Sequence, residues 1–318
     1  MKHFGVLLAR SCGPIIALAV ATSSWSAPID EAKAEGKTPA DFPKITEDVF
    51  KPMDQGAIIG ELTEEEIRGR NTWNLWTAGN QHFWDSVARN SYGLMDLLKA
   101  LDNRKYPRGE RFKTLGLVNQ PGFRAATKPD EYGLWLDEPT EPEPAGIDEK
   151  VYGKPTGVLG FRLFPNPDFD EAARKRWDGE RFMNEPKYYN DTKLVRPYRV
   201  GVSCGSCHIA PNPINPPEDP ENPKWENLAS AIGNQYISEG RVFACNVAKG
   251  GLFYEMIEAQ PRGTSDTSRI ATDHINNPNA INAIFLLAER ERIAVNEQMA
   301  AARSPCRERR PPCRFHTS

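Results

Sequence analysis

Histidine is scarce, at 5 in 318 residues, and cysteine stands at 6, so chemistry built on imidazole or thiol has few places to sit. No long hydrophobic run occurs: the longest apolar stretch, Gly13 to Ala21, falls well short of the roughly 20 residues that cross a bilayer. Charge of neither sign is in excess. The 40 basic and 43 acidic residues leave a net charge of -3, and no basic stripe follows a nucleic-acid backbone, which excludes nucleic acid as a partner. Internal repeats are absent, which argues against a solenoid or an array. Hydrophobic residues are 39% and prolines number 27, a balance expected of a globular chain rich in ordered loops. The length suits about two domains and is ample for burying a large cofactor.

The segments that are present read in order. Lys2, His3 and Arg10 precede the short apolar stretch, and small residues follow it, which is the pattern of an export signal over residues 1–26 with cleavage after Ser24 or Ser26. Export implies a periplasmic or secreted protein without a membrane span after cleavage. Residues 27–136 form an N-terminal helical region that opens on a linker from Ala27 to about Lys44. Residues 137–150, Asp-Glu-Pro-Thr-Glu-Pro-Glu-Pro-Ala-Gly-Ile-Asp-Glu-Lys, offer little apolar surface and are expected to be an acidic linker between two domains. The second domain then covers residues 151–302. Residues 303–318 carry five Arg, three Pro, Cys306 and Cys313 but no Leu, Ile, Val, Ala or Gly. Such text is expected of a GC-rich gene read out of frame, with a genuine basic tail as the alternative.

Thr63-Glu-Glu-Glu66 has the spacing of a capping box before a run from Ile67 to Ala88. Ile67, Trp73, Trp76, Phe83, Trp84 and Val87 return at helical intervals interrupted at Gly79, which predicts one helix or a kinked pair. A short helix is expected over Tyr92 to Leu101, a strand within Gly157 to Phe164, and a helix over Asp168 to Trp177.

The chemistry concentrates at Cys204-Gly-Ser-Cys207-His208. Two thiols three positions apart can each form a thioether to one vinyl group of the same porphyrin, and the adjacent imidazole then lies under the ring as an iron ligand. Zinc is the first competing reading, but Cys245 stands alone and no second Cys/His pair lies nearby. A thioredoxin-like pair would want a βαβ setting, and a structural disulfide gives no role to His208.

Through Cys204, Cys207 and His208 the chain resembles c-type cytochromes. Over residues 60 to 300 it is also similar to large secreted bacterial multi-haem cytochromes c, in Gly69-Arg-Asn-Thr-Trp-Asn-Leu-Trp76, Phe164-Pro-Asn-Pro167, Leu194-Val-Arg-Pro-Tyr-Arg199 and Asn222-Pro-Lys-Trp-Glu-Asn227. It departs from that pattern in having one attachment motif. The resemblance implies haem c as cofactor, and a mainly α fold in which a cytochrome c-like unit sits among long proline-rich loops with little strand. It implies electron transfer with a redox protein or a small-molecule donor or acceptor. A haem-dependent oxidising enzyme, peroxidase-like or oxygenase-like with an open distal iron, is the alternative, as is a truncated remnant of one.

Met256, 48 residues after His208, is the first candidate for the distal iron position, with His274 and His82 behind it and an open position equally eligible. Met256 lies among Leu252, Phe253 and Ile257, where a core role competes with ligation. Arg196 and Arg199 are candidates to pair with haem propionates, and Trp225 and Tyr236 to pack on the porphyrin. The proline-rich loop Pro211 to Pro217 is a candidate to offer a carbonyl to the second imidazole nitrogen.

Overall fold

The computed structural model describes residues 45, 48–50, 53–54, 62–143 and 146–269. The signal segment, the linker from Ala27 to Lys44, His274 and the tail 303–318 with Cys306 and Cys313 lie outside the described residues. Two compact units divide the chain, Met1–Phe42 and Pro43–Ser318, and the description below concerns the second.

Helix α1, Glu64–Leu75, begins at the expected capping box: the Glu66 N–H donates to Thr63 Oγ1 at 3.3 Å and the Thr63 N–H donates to Glu66 Oε2 at 2.8 Å. It ends where Ala78 and Gly79 take left-handed backbone, with φ of 51° and 80°. The kink expected at Gly79 is therefore a full break before α2, Gln81–Asn90. Helix α3 covers only Leu97–Leu101, because Tyr92 has φ of 54° and Asp96 caps the Leu98 N–H, so the helix expected from Tyr92 starts five residues later. Then come α4, Arg111–Leu115; the pair β1, Phe123–Arg124, and β2, Glu138–Pro139; and α5, Glu149–Tyr152. Strands β3, Lys154–Pro155, and β4, Phe161–Pro165, precede helices α6, Glu171–Arg176, α7, Gly179–Asn184, and α8, Pro186–Tyr189. Strand β5, Tyr198–Val202, leads into α9, Gly205–His208. Last come β6, Ala210–Pro211, β7, Leu228–Ala229, α10, Glu239–Phe243, and α11, Leu252–Glu258.

The fold is mixed α/β, which corrects the mainly α expectation: among the described residues 35% are helical and 10% lie in several small antiparallel sheets. The largest sheet has the order β3-β4-β5, with Phe161 opposite Val202 and Pro165 opposite Tyr198. Strand β4 falls at the strand expected within Gly157 to Phe164, whereas β3 and β5 were not expected; Arg162 and Arg199 lie within the sheet, and both are buried with acidic partners, Glu143 for Arg162 and Asp168 for Arg199.

Segment 137–150 is tied to the body at several points. The Asp137 carboxylate is fully buried between Arg108 and Arg111, each with a contact of 2.8 Å, and Glu143 pairs with Arg162 at 2.7 Å. Residues on both sides of the segment share one core, in which Leu101, Leu115 and Leu134 meet Phe161, Phe182 and Val200. A second core joins Leu75, Val118 and Leu159 to Ile209 and Leu228. Burial of each such side chain is worth about 1.5–3 kcal/mol. Cys207 packs against the first core and Ile209 belongs to the second, so the short helix α9 is anchored at both.

Candidate functional site

The Cys-Gly-Ser-Cys-His turn is positioned from four directions. Strand β5 delivers it, and the Asn80 carboxamide clamps the strand end, donating to Val202 O at 2.6 Å and accepting the Val202 N–H at 2.9 Å. The Ser203 N–H donates to Gly160 O at 2.7 Å, while its hydroxyl donates to Asn74 O at the end of α1 at 2.6 Å. On the far side the Asn234 N–H donates to Cys207 O at 2.7 Å. Gly160 has φ of 76°, and a Cβ there would overlap the Ser206 backbone nitrogen, so only glycine admits this approach.

One helical turn then sets the three motif side chains. Cys204 and Cys207 stand at positions i and i+3, with the Cys207 and His208 N–H groups both reaching Cys204 O at 3.2 and 3.0 Å. Cys204 is exposed, Cys207 and His208 are half-buried, and the two cysteines form no disulfide with each other. Crowding by the surrounding protein raises the Cys204 thiol above its ordinary pKa, so it lacks the lowered value of a catalytic thiolate. Burial lowers the His208 pKa and favours the neutral imidazole, the form that ligates metal. The Trp73 ring, 43% exposed, lies 4.8 Å from the His208 ring at a tilt of 59°.

His208 Nε2 is buried and has no hydrogen-bond partner. A buried polar atom left so costs about 1–3 kcal/mol, and a bond to iron would remove that cost. Two thiols and one neutral imidazole on a single rigid turn suit a covalently held haem in number and kind. Among the described residues no group of three or more His, Cys, Asp or Glu could hold a bare metal ion. A four-ligand zinc centre therefore finds no support among them.

The remaining candidates fall elsewhere. Arg196 donates to Asp96 at 2.6 Å, and Arg199 donates to Asp168 at 2.6 Å and meets His82 Nδ1 at 3.0 Å, so both are internal ion-pair residues and not the expected propionate partners. His82 is exposed on α2 in that cluster. Met256 is 54% exposed on α11, which is held to α10 by Arg241 and Glu258 at 2.6 Å, so the core role weighed for it does not apply. Trp225 packs edge-on to Phe50 at 5.7 Å and borders a cavity of about 390 Å3, and exposed Tyr236 lies 5.0 Å from Phe112 beside another of about 470 Å3. Neither cavity is lined by Cys204, Cys207 or His208. The Pro211 to Pro217 loop bonds to the turn at Trp225–Asn227, through the Asn212 N–H to Asn227 O at 2.7 Å and Asn215 Nδ2 to Glu226 O at 3.1 Å.

Four positioning residues, Asn74, Asn80, Gly160 and Asn234, were not singled out from the sequence. One signal for them exists in α1, where Asn71 and Asn74 fall at i and i+3 beside Leu75 on the face that the helix buries. The chain contains no membrane-spanning helix among the described residues. No protein-family model matches this chain, nor does any curated protein or solved structure.

Proposed function

We propose that the chain binds haem c through Cys204, Cys207 and His208 and carries electrons in the periplasm or outside the cell, exchanging them with a redox protein or a small molecule. The observation that supports this reading most is the buried, unpartnered Nε2 of His208 on the same turn as two thiols. Cys204 and Cys207 hold the porphyrin by thioethers. His208 would ligate the iron through Nε2, with Trp73 packed beside the imidazole. The haem, when bound, supplies a one-electron ferric/ferrous couple. Asn80, Ser203 and Asn234 keep the turn in place through hydrogen bonds to backbone oxygens, so little reorganisation accompanies a change in charge.

The test is a pyridine haemochrome assay on protein exported with a c-type maturation system. One haem that survives acid-acetone extraction is expected, and the Cys204→Ala plus Cys207→Ala variant should lose it. Absence of covalent haem from the unmutated protein overturns the proposal. Six-coordinate low-spin absorption bands then support transfer over the open-iron oxidising enzyme, whose high-spin bands shift with carbon monoxide.

A further inference from the structure

Asn74 is 2% exposed, and neither atom of its carboxamide has a hydrogen-bond partner. A fully buried amide with both ends unsatisfied is costly, and a simple structural role would be served better by leucine, which has nearly the same shape. Its position is specific. The carboxamide oxygen lies 3.2 Å from where a Cβ would stand on Gly205, so the amide faces the first residue of α9. Gly205 and His208 are three residues apart on one helical turn and share a face. Helical side chains lean toward the N-terminus and cover the preceding turn, a direction that would carry the His208 imidazole over Gly205, which has no side chain to intervene. Trp73, the neighbour of Asn74 on α1, is already in contact with that imidazole. Of the two ring nitrogens Nδ1 is bonded nearer the backbone, and in the haem-free chain it is Nε2 that is buried without a partner, so Nδ1 reaches the amide only after the ring turns. A histidine that ligates through Nε2 carries its proton on Nδ1 and needs an acceptor there.

We propose that Asn74 is a positioning residue for the iron ligand, its carboxamide oxygen accepting the Nδ1–H of His208 once haem attachment has fixed the ring's torsions. The inference rests on the haem reading above. The bond orients the imidazole and raises its basicity, which favours the ferric iron and lowers the reduction potential. The carboxamide oxygen left unsatisfied in the haem-free chain thus gains its partner only in the loaded protein, and stability is given up in the first state for tuning in the second.

The experiment compares unmutated protein, Asn74→Leu and Asn74→Asp, each loaded with haem and quantified by the haemochrome assay. The readouts are the reduction potential from spectroelectrochemistry and the exchange rate of the His208 Nδ1 proton by NMR. Asn74→Leu should raise the potential and speed proton exchange at least tenfold. Asn74→Asp, a stronger acceptor, should lower the potential below that of the unmutated protein and keep exchange slow. In the haem-free Cys204→Ala plus Cys207→Ala background, Asn74→Leu should raise the thermal midpoint. A potential that fails to fall in loaded Asn74→Asp, or unchanged exchange in loaded Asn74→Leu, overturns the inference while leaving the haem reading intact. So does a lowered midpoint in the haem-free leucine variant, which marks the amide as structural. Failure of the unmutated protein to load haem overturns both, and the haemochrome value separates that result from the others.

Discussion

Two buried polar regions of this protein follow opposite rules. Around Asp137 the groups are matched: Arg108 and Arg111 hold its carboxylate at 2.8 Å, Arg111 also donates to Asn119, and the Asn119 amide donates to Arg108 O and to Glu221. The Glu221 carboxylate accepts the first N–H groups of α4, from Phe112 and Lys113, at 2.9 Å each. Only the two arginine Nε atoms are left over. Where α1 meets α9, by contrast, both amide atoms of Asn74 and His208 Nε2 are buried without partners. A satisfied network holds a fold together, whereas each unmatched buried group calls for an explanation, which the haem proposed above would supply at this place.

The sharpest way to break this comparison is Asp137→Ala. It leaves two buried guanidinium groups uncompensated, and a loss of about 3–5 kcal/mol is expected in urea unfolding. Asn74→Leu in the haem-free chain should act in the other direction, with a gain of about 1 kcal/mol by the same measurement, since it removes an unmatched amide. If both variants destabilise, the distinction between the regions fails. Gly160→Ala comes next. Strain at φ of 76° and the overlap with Ser206 should cost about 1–3 kcal/mol and reduce the yield of covalent haem, because the thiols shift from their places.

Lys99 sharpens the comparison as a third kind of buried polar group. Its ammonium has no hydrogen bond but lies 3.3 Å from the centre of the Tyr189 ring and 4.7 Å from that of Phe182. Burial pulls its pKa down to about 7, against the opposing pull of Asp96. Below that pH both folded and unfolded chains carry the proton. Between pH 7 and about 10.4 the unfolded chain alone keeps it, so stability should rise with pH across that window. Lys99→Met should flatten the rise, as read from thermal midpoints at pH 6.5, 8 and 9.5. An unchanged slope would show that the two rings keep the ammonium charged. The smallest effect is expected at Met256. Being exposed on α11, its truncation to alanine should change stability by less than about 0.5 kcal/mol. A near-infrared sulfur-to-iron band in the ferric protein that vanishes in Met256→Ala would instead bring α11 to the iron.

Much of the local structure was legible in the text. The capping box at Thr63 and Glu66, the break at Gly79 and the helix within Asp168 to Trp177 are short-range features, set by neighbours within about four residues. Strand β4 was legible but its pairing was not, because Phe161 and Val202 are 41 positions apart and the strands carry buried arginines whose partners come from distant segments. For the same reason Arg196 and Arg199 read as anion-binding candidates beside the motif, although Asp96 and Asp168 already occupy them.

By itself, the spacing of Cys204, Cys207 and His208 determined which side chains share one turn, since 3.6 residues per turn leaves no other arrangement for a helical Cys-x-x-Cys-His. Tertiary structure alone decided what surrounds that turn. The broken end of α1 brings Trp73 and Asn74 against it across some 130 positions of sequence, its neighbours Cys207 and Ile209 join the two cores, and Nε2 is left buried without a partner. Such contacts depend on packing between distant segments, and no local spacing encodes them.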